Sequence, residues 1–363
     1  MQISAALSRG PHTPFSVETI DIAAPGEGEI LVRTVATGIC HTDLVTKAMF
    51  PAEFGPVVLG HEGAGVVAEV GPGVAGVRPG DHVLLSYRRC GRCRQCRAGR
   101  PTYCEQFAAL NTSGGRPDGS TPLSRDGEPV RGCFFGQSSL ATYCLTSADN
   151  TIVVDPGVDL TVVAPLGCGI QTGAGSVLNV LRPGESSAFV VYGAGGVGLA
   201  GLMAARAAGV STVIAVDPVP GRRELATKLG ANAVIDPGDG DVVEAVRDYT
   251  GGGATHALDT TGLPAVLAQG MRALGATGTL VAVGLGQPEV SLDIIDIIGG
   301  GKTLRGSIEG DADPHEFLPR LLDLHATGLL PLEELITTYS LADIGRAVAD
   351  AAAGTTVKPV IVF

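Results

Sequence analysis

Two textures of hydrophobic patterning divide the chain. Up to about residue 169 the apolar residues fall in short runs, EILVRTVATGIC (29–40), GAGVVAEVG (63–71) and DHVLLSY (81–87), broken by PGEGE, GPG and RPGD. Runs bounded by Gly and Pro read as strands and turns, so this half is expected to be mostly β. From about 170 the runs SAFVVYG, TVIAVD, ANAVID, HALDTTG and GTLVAVG alternate with helix-compatible stretches such as LAGLMAARAAG. Short apolar strands separated by helices predict a parallel sheet covered on both faces. Near the end, EFLPRLLDLHATG reads as a helix and VKPVIVF as a strand able to pair back with the first half. The expected class is α/β: a β-rich domain over 1–169, a doubly wound parallel-sheet domain over 170–308, and a tail, 309–363, that completes the first.

The 363 residues exceed what one hydrophobic core usually organises, which agrees with two domains. The 53 glycines point to many tight turns and close backbone approaches. A net charge of -12 argues against a nucleic-acid surface, which needs clustered Lys and Arg. The start, MQISAALSRG, lacks the basic residues and apolar run of a secretory signal, and no stretch approaches 18 uninterrupted apolar residues, so a cytoplasmic protein without membrane contact is expected. In a reducing compartment the eight cysteines read as metal ligands, nucleophiles or small core residues.

GAGGVG at 193–198 stands directly between an apolar strand and an Ala-rich helix. Gly193 permits the tight turn, Gly195 lets the backbone approach a pyrophosphate, and Gly198 lets strand and helix pack closely; Gly196 and Val197 belong to the same phosphate-facing loop. A second match, GAGVVA at 63–68, runs into turn-rich β sequence and is rejected. Nineteen residues after Gly198 the next strand ends in Asp217. A carboxylate there accepts hydrogen bonds from the adenosine ribose and repels a 2′-phosphate, favouring NAD. The alternative is that Asp217 merely caps a loop, and Arg222 and Arg223 leave NADP use open.

Cys90, Cys93, Cys96 and Cys104 form C-x2-C-x2-C-x7-C, a spacing that suits a closed tetrahedral zinc site. Ferredoxin-type ligation uses a shorter last interval followed by proline; the longer interval and Glu105 here favour zinc. The surrounding arginines, Arg88, Arg89, Arg92, Arg94, Arg97 and Arg100, are expected to offset thiolate charge and stay solvated. Cys40 in GICHTD, His61 in GHEG and Cys168 in LGCG are also of metal-ligand type, though singly each reads as core filler or a turn residue. Cys133 and Cys144 receive that plainer reading.

Together, GICHTD, GHEGAGVVAEVG, the four-cysteine segment, LGCGIQTG, GAGGVG and KPVIVF resemble the zinc-containing medium-chain dehydrogenase/reductase family over essentially the whole chain. The resemblance implies a GroES-like β-rich catalytic domain joined to a Rossmann domain, a catalytic and a structural zinc, a homodimer or homotetramer, and a small alcohol or aldehyde as substrate. Carried over by position, it makes Cys40, His61 and Cys168 the catalytic zinc ligands, with the fourth position open. Asp43 then orients His61, Glu62 lies beside the metal, and Thr42 hydrogen-bonds the substrate oxygen. His41 and Lys358 are placed toward the cofactor phosphates, Thr172 near the nicotinamide, and Gly284 among the cofactor contacts.

Two departures refine this reading. Many members carry a proton-relaying histidine five residues after the first zinc ligand; Val45 stands there, which implies a shortened relay from Thr42 through the ribose hydroxyl to water. Ser86, four residues before Cys90, occupies a pocket position that is often aromatic. With GQSSLATY (136–143), which resembles the benzyl- and aryl-alcohol branch, Ser86 implies room for bulky aromatic or allylic primary alcohols, unless Tyr87 or Phe54 refills the space. The expected reaction is reversible, NAD-linked oxidation of such an alcohol to the aldehyde. A thiol-dependent formaldehyde dehydrogenase shares these motifs. A non-catalytic, cofactor-binding Rossmann protein is the competing reading from another class; it would be marked by loss of a catalytic zinc ligand, and all of Cys40, His61 and Cys168 are present.

Overall fold

The change of texture near residue 169 is a change of architecture in the computed structural model, which describes residues 1–50 and 52–363, the Ala52 side chain excepted. One unit comprises Met1–Cys168, Asp313–Pro319 and Leu335–Phe363; the other comprises Gly169–Ala312 and Arg320–Glu334.

In the first unit the β-branched stretch Glu29–Gly38 lies inside a seven-stranded sheet. Glu62–Val70 pairs with it antiparallel, as do Tyr143–Ser147 and the terminal strand Lys358–Val362. Ile336–Ser340 runs parallel to the terminal strand on its other side. The chain end therefore pairs with the first half, as its apolar run implies. A five-stranded sheet holds Val57–Val58, Gln2–Ser8, Ser16–Ile22, Leu123–Arg125 and Glu128–Val130 in that order. Ile3, Leu7, Ile20, Ile22, Leu59 and Leu140 are buried together beneath it. The rejected GAGVVA stretch belongs to the strand Glu62–Val70, where a Cβ on Gly65 would stand 2.2 Å from the Arg33 carbonyl oxygen. Its glycines serve strand packing.

The second unit is built on a six-stranded parallel sheet: Ala233–Ile235, Thr212–Val216, Ala188–Tyr192, Ala254–Asp259, Leu274–Ala282 and Thr303–Gly306, in that spatial order. Successive residues Val190 and Val191 are both fully buried, so both faces of the sheet are covered. The strand order reverses beside Ala188–Tyr192, the switch point at which doubly wound sheets bind ligands, and the helix Gly196–Ala207 leaves from that strand's carboxyl end. Among the described residues no single helix is long and apolar enough to cross a membrane.

The tail, expected to belong whole to the first domain, is divided. Residues 309–312 and Arg320–Glu334 pack with the second unit. Within that unit the Glu309 carboxylate accepts from Gln171 Nε2 at 2.8 Å, Lys228 pairs with Glu334, and Leu321, Leu330 and Leu332 are buried. The expected helix spans Pro314–Ala326.

Ile361 is fully buried in the terminal strand, opposite Thr37. Ile361→Ala is expected to cost about 2–5 kcal/mol by leaving a cavity in this sheet. Urea denaturation followed by circular dichroism checks this; a loss below about 0.5 kcal/mol, the range of surface substitutions, would show that the strand is peripheral to the core.

Candidate functional site

The short helix His41–Met49 begins just after Cys40, and its third residue, Asp43, turns back to accept the Cys40 amide at 2.9 Å. The other oxygen of the same fully buried carboxylate accepts from Gly60 N at 2.9 Å and meets His61 Nδ1 at 2.9 Å. One carboxylate thus sets both the backbone carrying Cys40 and the plane of the His61 ring. Cys168 arrives from a distant turn, where a Cβ on Gly167 would stand 2.1 Å from the Leu85 carbonyl oxygen. Ligand atoms of Cys40, His61, Glu62 and Cys168 all lie within 4.8 Å of one another.

This donor set fits a zinc ion. With Nδ1 engaged by Asp43, His61 directs Nε2 inward, and that buried atom has no hydrogen-bond partner among the described residues. A hydrogen bond from Cys168 outweighs burial and, with help from His61, holds the Cys40 thiol well below its ordinary range. Burial opposes charge on His61, but Asp43 and Cys40 outweigh it and hold the ring well above its usual range. Both shifts describe a pocket that attracts positive charge, as a site of two thiolates and an imidazole should.

Glu62 points to Lys358, whose Nζ lies 2.6 Å from its Oε2 and 3.3 Å from the Ile39 carbonyl oxygen. Burial alone would lower the lysine pKa; Glu62 and Cys40 reverse that, and the ammonium stays above its ordinary range. A cation is thereby fixed beside the cluster, with two of its bonds committed inside the first unit. Thr42 is partly exposed, its Oγ1 3.7 Å from Cys40 Sγ, while His41 is exposed on the same helix turn and Val45 partly buried one turn on. Ser86 is fully buried and donates to the Gly167 carbonyl at 2.6 Å, the residue before Cys168. Phe54 is half exposed and packs on Phe50 and Arg131. The buried Tyr87 instead tilts against Phe107, 5.7 Å away.

Cys90, Cys93, Cys96 and Cys104 form a second cluster with ligand atoms within 4.8 Å of one another. Backbone amides approach the sulfurs: Cys93 N to Cys90 Sγ at 3.3 Å, Cys90 N and Gln106 N to Cys104 Sγ at 3.4 Å. The amides of Cys96 and Glu105 bring the Cys93 thiol down to about 6. Burial instead pushes the Cys96 thiol up to about 12 and raises that of Cys104; the four sulfurs together fit tetrahedral metal binding. Two of the neighbouring arginines depart from expectation. Arg88 and Arg89 are not solvated but paired with Asp149 and Asp313, because the chain brings those carboxylates against the loop. Cys133 and Cys144 stay apart from both clusters, and burial pushes their thiols up to about 11 and about 12.

In the second unit, Gly193 has φ +89°, and a Cβ on Gly198 would stand 1.8 Å from the Gly193 carbonyl oxygen. A Cβ on Gly195, by contrast, would meet nothing within 4 Å, which leaves the space a pyrophosphate needs above the helix N-terminus. Gly196 and Val197 form the first turn of that helix. Asp217 is buried, and both oxygens of its carboxylate cap loop amides, accepting from Ala194 N at 2.7 Å and Val219 N at 2.8 Å. It therefore clamps the glycine loop to the neighbouring strand. Arg222 Nη1 lies 3.8 Å from the same carboxylate, and Arg223 pairs with Asp236. Gly284 packs on the 260–262 backbone, where a Cβ would stand 2.2 Å from Gly262 N. Thr172 Oγ1 lies 3.4 Å from Glu309. Glu309 has no motif around it for pattern reading to find; Gln137 belongs to the GQSSLATY stretch but has no role assigned by it, and its Nε2 donates to the His61 and Ser86 carbonyls at 3.0 and 3.1 Å.

Comparison with known proteins agrees with this geometry. Residues 26–156 match the alcohol dehydrogenase GroES-like domain, and residues 196–327 the zinc-binding dehydrogenase domain. The chain is 44% identical to a geraniol dehydrogenase of Castellaniella defragrans, over 99% of this chain and 97% of that protein. Its fold is similar to the crystal structure of an alcohol dehydrogenase zinc-binding domain protein from Burkholderia ambifaria, with TM-score 0.96 and 47% identity, covering 100% of this chain and 99% of that one. It is equally similar to benzyl alcohol dehydrogenase from Acinetobacter calcoaceticus, with TM-score 0.96, 42% identity and the same coverage. With a GroES-like β-rich unit, a doubly wound dinucleotide-type unit and this degree of similarity along its whole length, the chain belongs to the zinc-containing medium-chain alcohol dehydrogenase family.

Proposed function

We propose that the protein reversibly oxidises allylic or aromatic primary alcohols to aldehydes, passing hydride to NAD. The observation that carries this reading is the convergence of Cys40 with the buried His61 and Cys168 in a chain that also has an open glycine cradle at Gly195. Those three residues would hold a catalytic zinc, and Cys90, Cys93, Cys96 and Cys104 a structural one. Bound by two thiolates and an imidazole, zinc supplies a Lewis acid that brings the pKa of an alcohol toward neutrality. Asp43 keeps the His61 ring in the tautomer that offers Nε2. Thr42, partly exposed beside Cys40, is the group that would take up the substrate hydroxyl proton, and Val45 lacks the acid–base chemistry to carry it further, which leaves water as the next acceptor.

The dinucleotide pyrophosphate would lie on the loop from Gly193 to Gly198, with Thr172 of the same unit as a further cofactor contact. The buried carboxylate of Asp217 favours NAD over a 2′-phosphorylated cofactor. The small Ser86, turned to the backbone beside Cys168, and the geraniol and benzyl alcohol dehydrogenase relatives support a bulky unsaturated alcohol. Partner chemistry follows from the second unit. Its sheet ends on Thr303–Gly306, exposed along its length, and the helix just before it exposes Ile294, Ile295 and Ile298 by 60, 79 and 72%. An exposed edge beside such an apolar patch fits a second copy of the chain.

Assays of ethanol, benzyl alcohol, cinnamyl alcohol, geraniol and formaldehyde, with NAD or NADP and with or without a low-molecular-weight thiol, test the reaction. The expected result is faster turnover of benzyl alcohol, cinnamyl alcohol and geraniol than of ethanol, with NAD preferred; formaldehyde oxidation that strictly requires thiol would replace this reading. Metal analysis should find a second zinc that Cys168→Ser loses together with alcohol oxidation, while the four-cysteine zinc stays; full zinc content in the variant would remove Cys168 from the ligand set. Sedimentation should show an oligomer that Ile295→Asp and Ile298→Asp together convert to monomer. A wild-type monomer would contradict the edge assignment.

A further inference from the structure

Residues 133–138 carry the densest backbone strain near the metal cluster. Cys133, Phe135 and Ser138 adopt φ of +57°, +49° and +55°, in the left-handed region that side-chain-bearing residues rarely occupy, and Gly136 between them sits at +64°. Strain of this kind persists only where surrounding bonds over-determine it, and here they do. Asn150 Nδ2 donates to the Phe135 and Gly136 carbonyls, each at 3.3 Å, and to the Ser86 carbonyl at 3.2 Å. Ser138 Oγ accepts from Phe134 N and donates to the Val58 carbonyl. Gln137 bonds to the His61 carbonyl and accepts from Gly63 N, on either side of Glu62.

The product of that strain is a pair of aromatic rings against one imidazole. Phe135 stacks on His61 with centroids 4.6 Å apart and planes 29° apart, and Phe134 meets the same ring edge-on at 5.3 Å and 89°. Both phenylalanines are buried. Asp43 holds one ring nitrogen, so it fixes the imidazole only at that point; rotation about the line through that bond is checked by the stacked ring. We propose that Phe135 is a positioning residue for His61 as a metal ligand, and that residues 133–138 are held in a strained backbone to keep its ring against the imidazole face. The inference rests on the reading of Cys40, His61 and Cys168 as a metal site. Phe135 itself touches the imidazole and acts through it.

Replacing Phe135 with leucine removes the flat face while keeping most of the apolar volume, and replacing it with alanine removes both. The test uses full-length protein with cobalt loaded at the Cys40 site, read by its visible ligand-field bands and by the rate at which a chromophoric chelator takes the metal. Phe135→Leu is expected to shift the bands and speed metal release by about tenfold or more, in line with the effect of losing a ligand's supporting contacts. Phe135→Ala should exceed it, while the four-cysteine metal is released at the wild-type rate in both. Unchanged bands and wild-type release in Phe135→Leu overturn the proposal, because a ring that only fills space is replaced by leucine without consequence for the metal. A wild-type protein that takes up no cobalt at this site overturns the metal reading itself and the proposal with it, a result distinct from the first.

Discussion

The first unit is organised around the buried carboxylate of Asp43. Burying a carboxylate without hydrogen-bond partners is costly; here the Cys40 and Gly60 amides and the His61 ring supply three contacts. Those contacts join the start of the helix His41–Met49 to the turn before Glu62–Val70. The position of two metal-type donors therefore follows from one side chain. A charge buried this way is costly if any partner is lost, so the surrounding backbone has little freedom, and the strained loop at 133–138 closes over the same histidine.

Close backbone approach is the second constraint, and it shapes both units. Gly198 against Gly193, Gly65 against Arg33 and Gly167 against Leu85 each leave no room for a Cβ. The first of these pairs brings the helix Gly196–Ala207 onto its strand, and the last brings Cys168 beside residues from other strands. Gly195 is the informative exception, since the space above it is open. The proposed cofactor loop would use that opening for close approach to the backbone.

Charge completes the arrangement. Lys358, five residues before the chain end in a buried strand, balances Glu62 next to His61 and so puts a fixed cation beside two thiols. Asp217 shows the same economy in the second unit. Its carboxylate bonds to Ala194 in the glycine loop and to Val219 in the following turn, so the group expected to face a ribose also holds the glycine loop in place.

Local information was sufficient for much of this. The apolar runs of the second half became the parallel strands because a strand buried on both faces must be continuously apolar, and the GAGGVG and four-cysteine spacings are short enough for chain geometry alone to imply convergence. Cys40, His61 and Cys168 carried no such signal by themselves; the resemblance joined them, and folding brings them within reach. Only the tertiary structure decided the partners of Arg88 and Arg89, the division of the tail, the anchoring of Glu309 by Gln171, and the left-handed backbone that lays Phe135 on His61. The physical reason is common to all four. Periodicity and spacing report what a segment buries and how it turns, whereas the choice of polar partner and the acceptance of strain depend on groups remote in the chain, which become neighbours only when the sheets have formed.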